Sequence, residues 1–185
     1  MTFLNAHRAE ESTKSLYATQ EDFRKLFSDD ANDLYLLSFL LTARHEVAQR
    51  CFAAGLDECL EANVVYQDWA GPWARRVIIR NAIRIVKPRP APTGATPDAP
   101  NLAGGLPGMR LQDAPVANIL ALEDFERFVY VLSVLEEYVD QNSAALLNTS
   151  QREIREARVR ALGHLADFAI SDAAPPEKLS LVRVA

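Results

Sequence analysis

Only two cysteines, three histidines and seven glycines occur in the 185 residues, and each scarcity closes off a class of chemistry. Cys51 and Cys59 lie eight apart in one helical pattern, which puts about 12 Å of straight helix between them, too far for a disulfide. No histidine stands beside them at metal-ligand spacing, and His7, His45 and His164 are scattered, so no metal is expected and the thiols read as packing groups. No glycine-rich phosphate loop and no nucleophile with a paired histidine is found, so the chain is not expected to be an enzyme or to need a cofactor. Asp29-Asp30 and Glu136-Glu137 read as solvated helix ends rather than catalytic carboxylate pairs. No window approaches the ~18 consecutive apolar residues of a membrane span. The first fifteen residues carry His7, Arg8, Glu10, Glu11 and Lys14 instead of an apolar signal core. A cytoplasmic protein without a membrane partner is the expectation.

What is present is apolar and polarised. Hydrophobic residues make up 49%, enough to build cores. The net charge is −5, yet from Trp69 to Pro97 there is no acidic residue, while Arg75, Arg76, Arg80, Arg84, Lys87 and Arg89 are all cationic. From Leu120 to Gln141 the balance reverses, with six carboxylates facing Arg127 alone. Charge distribution, more than net charge, bears on an anionic partner.

Seven of the ten prolines and four of the seven glycines fall between Lys87 and Ala117. Proline blocks helix hydrogen bonding and glycine adds chain entropy, so 87–117 reads as a linker between two modules. The chain then divides into a flexible N-terminal segment (1–18), a first helical domain (19–86), the linker, a second helical domain (118–171) and a C-terminal tail (172–185). The fold expected is all-α with two helical domains.

In the first domain, Thr19 with Asp22 marks a helix start, and Leu34, Leu37, Phe39, Leu40 and Leu41 predict a helix buried on most sides. Gly71-Pro72 opens the last helix of the domain, about Pro72 to Val86. There Ile79, Ala82, Ile83 and Val86 follow the core spacing, and Arg76, Arg80, Arg84 and Lys87 form a stripe on another face. No carboxylate of that helix interrupts the stripe, so an anionic partner would relieve its repulsion.

In the second domain, Phe125, Phe128, Val129, Leu132, Leu135 and Tyr138 line one side of a helix. A short helix from about Asp140 to Leu147 follows, then Asn148-Thr149, then Ser150-Gln151-Arg152-Glu153. Ser150 and Glu153 fit a capping box, and Asn148 tolerates the left-handed backbone of a tight turn. The closing helix keeps Ile154, Ala157, Ala161, Leu165 and Phe168 inside. Short helix, tight turn and capped longer helix form a helix-turn-helix layout. Gln151, Arg152, Arg155 and Arg158 then lie where side chains reach DNA.

The order of these features resembles the extracytoplasmic-function sigma factors of bacterial RNA polymerase. Residues 34–86 are similar to the family's region two: the L-Y-x-L-x-x-x-L-T opening at Leu34, a Trp-containing connection, and a basic helix with Arg80-Asn81-Ala82. Residues 126–165 are similar to region four, with Tyr138, Ala144, Leu147, Ser150, Ile154, Arg155, Arg160, Ala161 and Leu165 at its pattern positions. The resemblance implies a transcription initiation factor whose partners are promoter DNA and the RNA polymerase core, with an anti-sigma-type inhibitor as a third. It further implies DNA contacts from Arg76, Arg80 and Arg84 in region two and from the Gln151–Arg158 stretch in region four. A loop within Glu61 to Gly71 would capture a flipped base through Asn63, Tyr66 and Trp69. The alternative is a divergent sigma-fold interaction module without promoter recognition. Val47 to Leu56, which carries Arg50 and no carboxylate where the family has an acidic polymerase-docking cluster, favours it.

Overall fold

The computed structural model describes residues 16–62, 64–90 and 114–173, and what it describes is all-α. Eight α-helices follow in order: α1 (Gln20–Asp29), α2 (Ala31–Thr42), α3 (His45–Leu60), α4 (Ala70–Val86), α5 (Ala114–Leu120), α6 (Asp124–Tyr130), α7 (Asp140–Leu147) and α8 (Gln151–Ala173). None of the described helices is long and apolar enough to cross a membrane.

Local chemistry accounts for some of the boundaries. Thr19 caps α1 in a reciprocal box, its hydroxyl accepting from the Asp22 amide while the Asp22 carboxylate accepts from the Thr19 amide. Helices α2, α4 and α7 each end at a left-handed residue, Ala43, Lys87 and Asn148. Asparagine suits that conformation best, alanine and lysine less, so tertiary packing must hold the first two in place.

The linker leads one to expect two lobes with separate cores, but the described helices share one. Phe23, Leu41 and Ile78 of the first segment belong to the same buried cluster as Ile119, Phe125, Phe128 and Ile154 of the second. The reason lies in α2, where Leu34, Leu37, Phe39, Leu40 and Leu41 are all buried. A helix apolar all round needs cover all round. Helices α1, α3 and α4 supply one side, and α5 and α6 supply the other.

Other expectations also change. Most of the linker lies outside the described residues, but its last part, Ala114 to Ala117, is the first turn of α5. Residues 16–18 of the expected flexible N-terminal segment are tied down: Tyr17 bridges Tyr66, and the Ala18 amide donates to Val65 O at 2.7 Å. Leu135 does not continue the inner face of α6 as a plain helix would have it, whereas Tyr138 is partly buried against the core. Residues Val131–Leu135 form a π-helical turn, closed by the Glu136 amide on Val131 O at 2.9 Å. The extra residue per turn rotates Leu135 outward, half exposed, and Glu137 then turns the chain with a φ of 55°.

Cys51 and Cys59 are fully buried, as their helical spacing predicts. Burial pushes their thiols up to about 11 and about 12, so neither is a thiolate near neutral pH.

Candidate nucleic-acid interface

Helices α7 and α8 meet through a three-residue turn whose parts are held by side chains. Asn148 takes φ 50° and ψ 52°, which lets the Thr149 amide return to Ala144 O. Ser150 then caps α8: its hydroxyl accepts from the Glu153 amide at 3.2 Å, and the Glu153 carboxylate accepts from the Ser150 amide at 2.9 Å. Thr149 Oγ1 adds a third bond to the same carboxylate at 2.6 Å. These donors, the Thr149 hydroxyl foremost, hold the Glu153 carboxyl down at about 2. Its unfolded value is near 4.5, so the folded state binds this proton less readily than the unfolded chain. The stability contributed is therefore fully present above pH ~4.5 and lost as pH falls towards ~2. In acid titrations followed by circular dichroism, Glu153→Gln should remove this part of the pH dependence from that window; an unchanged acid slope would show that the cap does not carry it.

The buried face of α8 is Ile154, Ala157 and Ala161, while Leu165 and Phe168, also expected inside, are only partly buried. Its outer face exposes Gln151, Arg152 and Arg155 in the first two turns. Each of the helix's four arginines has a carboxylate partner. Arg152 Nε donates to Glu156 at 2.7 Å, and Arg160 Nε to the buried Glu126 at 2.8 Å. Arg158 and Arg155 share Asp140, at 2.7 and 3.8 Å. One carboxylate shared by two guanidiniums leaves one net positive charge.

The α4 stripe is not unpaired. Glu58, from α3, accepts from Arg80 through one oxygen and from Arg84 (3.3 Å) and Asn81 (3.0 Å) through the other. Arg80 also lies over the Trp73 ring, 5.5 Å from its centroid. The expectation of a helix whose cations have no anion nearby is thus corrected: the anion comes from the neighbouring helix, 22 and 26 residues away. Arg76 stays exposed, with no carboxylate partner among the described residues. Three cations in excess therefore remain on this stripe: Arg76, Lys87 and one of the pair on Glu58.

At the N-terminal end of the same helix, Trp69 is 67% exposed and forms the last residue of a 3-10 turn (Gln67–Trp69). Tyr66 is also exposed and its ring packs on Tyr17 at 5.0 Å between centroids. Tyr66 and Trp69 are joined through the Trp69 amide, which donates to Tyr66 O. Asn63 lies outside the described residues. Seven residues separate Trp69 from Arg76, two helical turns, so an open indole and an open guanidinium share one side of α4.

Comparison with protein-family models, curated proteins and solved structures finds no match to this chain. Of the expected residues, Tyr66 and Trp69 share the turn before α4, Arg76 is exposed about two turns further along that helix, and Gln151, Arg152 and Arg155 are exposed on the first turns of α8. The residues that sequence reasoning missed are the acids that restrain the arginines, Glu58, Asp140 and Glu126. Their roles depend on helix packing, and no local pattern announces them.

Proposed function

We propose that the chain is a sigma-like transcription initiation factor that binds promoter DNA and the RNA polymerase core. The observation that carries this reading is the turn and cap between α7 and α8. A left-handed Asn148 and the Ser150–Glu153 box set the second helix at a fixed angle, with Gln151, Arg152 and Arg155 exposed on its first turns. A major groove admits one helix, and its guanine edges and flanking phosphates accept from guanidinium groups. The exposed Tyr66 and Trp69 offer an unstacked base a stacking surface, and the exposed Arg76, two turns along α4, a counter-charge for the strand's phosphates.

A second reading, an interaction module that keeps this fold without reading promoters, is favoured by the ion pairs. Glu58, Asp140 and Glu156 each offset a cation that the first reading needs. The two readings part on salt. A DNA-binding protein releases counterions, so its affinity for duplex DNA falls steeply as salt rises. Pull-down with core polymerase, followed by promoter-dependent transcription in vitro, tests the rest; no retention of polymerase and no salt-dependent DNA binding would leave only the second reading.

Glu58 supplies a sharper check. On the first reading, Glu58→Gln frees the charge of Arg80 and Arg84, so DNA binding should tighten and the plot of log affinity against log salt should steepen by about one unit. An unchanged slope would remove α4 from the interface.

A further inference from the structure

The residues before the 3-10 turn, Val64-Val65-Tyr66, alternate as an extended chain must: Val65 is buried, while Val64 and Tyr66 are exposed. Beyond the turn Ala70 is buried too, so this loop is seated on the core from both ends. Beside it lies a strap, residues 16–18. The Ala18 amide donates to Val65 O at 2.7 Å and the Gln67 amide to Leu16 O at 3.1 Å, which sets Tyr17 against Tyr66 across one antiparallel bridge. Their rings meet at 5.0 Å between centroids with planes 31° apart. That is the spacing of direct ring contact, and no base fits between them.

The strap buries little and is hinged at one end. Leu16 is 66% exposed and Tyr17 40%, while Ala18 packs on the core. One bridge with its two backbone bonds is less than a hairpin, which is itself marginal in water. Segments with few buried apolar contacts open at low cost. Next comes Thr19, whose amide and hydroxyl both bond the Asp22 carboxylate, so the cap on α1 does not draw on residues 16–18. The strap can therefore lift as far as Thr19 while α1 keeps its start and Val65 keeps its place in the core.

We propose that residues 16–18 are an autoinhibitory strap, in which Tyr17 covers the face of Tyr66 that an unstacked base would take. The proposal rests on the base-stacking part of the reading above and adds what regulates it. A base stacks on an aromatic ring more strongly than a second phenol ring does, so a single strand displaces Tyr17, at a reduced affinity. The reduction is the fraction of chains in which the strap is open. Duplex DNA, read through α8, does not compete with Tyr17.

Binding of a labelled oligothymidine single strand to the full chain, followed by fluorescence anisotropy, tests it. Tyr17→Ala should tighten that binding about three- to tenfold, the worth of an aromatic pair, and leave duplex affinity where it was. In a chain that already carries Tyr66→Ala the same change should do nothing; an equal gain there would overturn the proposal. Hydrogen exchange read by NMR follows the strap in the unaltered chain, whatever the variants do to folding. The Ala18 and Gln67 amides should lose protection once the single strand saturates the protein. Amides that stay protected at saturation would overturn the strap. So would weaker binding by Tyr17→Ala, which would make Tyr17 part of the stacking surface. Equal binding by the unaltered and Tyr17→Ala chains would sink the strap and leave the base-stacking reading in place. If neither chain binds the single strand, the base-stacking reading and the strap fail together.

Discussion

Truncating Arg127 to alanine should cost about 3–5 kcal/mol, a large share of the ~5–15 kcal/mol that holds a domain folded. Its side chain is 1% exposed, the most deeply placed charge among the described residues. Nη1 donates to Leu122 O at 2.8 Å, while Nη2 reaches Leu41 O at 3.4 Å and the Asp124 carboxylate. Leu41 lies in the last turn of α2, where carbonyls have no partner within their own helix. Arg127 thus ties the start of α6 to the end of α2, across the middle of the shared core. Burial lowers its pKa, the Asp124 carboxylate acting against that shift. Alanine would leave a cavity and two buried carbonyls without a donor. Arg127→Met fills the volume and takes the charge out of a dry site, so its loss should be smaller, about 1–3 kcal/mol for the carbonyls left unmet. Urea unfolding midpoints compare the two. If Arg127→Ala lies within ~1 kcal/mol of the unaltered chain, the guanidinium is not a tie between the two halves.

The second large effect concerns binding. Arg152→Ala combined with Arg155→Ala should weaken binding to the cognate duplex by about a hundredfold or more and erase most preference over other sequences, since each good base contact is worth ~1–3 kcal/mol. The fold should tolerate the change: both side chains are well exposed, at 83% and 61%, and the Arg152–Glu156 pair on the surface is worth at most ~1 kcal/mol. Arg80→Ala with Arg84→Ala should instead weaken all sequences alike, because those groups could reach only phosphates. Fluorescence anisotropy on specific and scrambled duplexes separates the patterns. A double variant of α8 that keeps both affinity and sequence preference would take the first turns of α8 out of the groove.

The pairing of Arg75 with Glu136 shows why the two halves are not independent. Arg75 Nε donates to Glu136 Oε2 at 2.8 Å, and a second nitrogen meets Oε1, so one end of the first segment grips the π turn of the second. The Glu136 bond is the main cause that raises the Arg75 pKa. In the sequence, Glu136-Glu137 reads as a solvated acidic end. Glu137 turns the chain, while Glu136 is nearly buried and paired 61 positions away.

Sequence alone determined whatever is settled within a turn or two of helix. The Thr19–Asp22 and Ser150–Glu153 boxes, the left-handed Asn148, the limits of α7 and the inner face of α8 each depend on residues three to five apart, where one backbone conformation dominates. Only the tertiary structure decided which acids meet which arginines and whether two cores or one would form. Glu58 meets Arg80 and Arg84, Asp140 meets Arg158, and Arg127 reaches Leu41 over 86 positions, none of them neighbours along the chain. Those meetings follow from how α2, apolar on every side, draws helices from both halves around itself, and burial of that kind is a property of the assembled helices rather than of any short stretch.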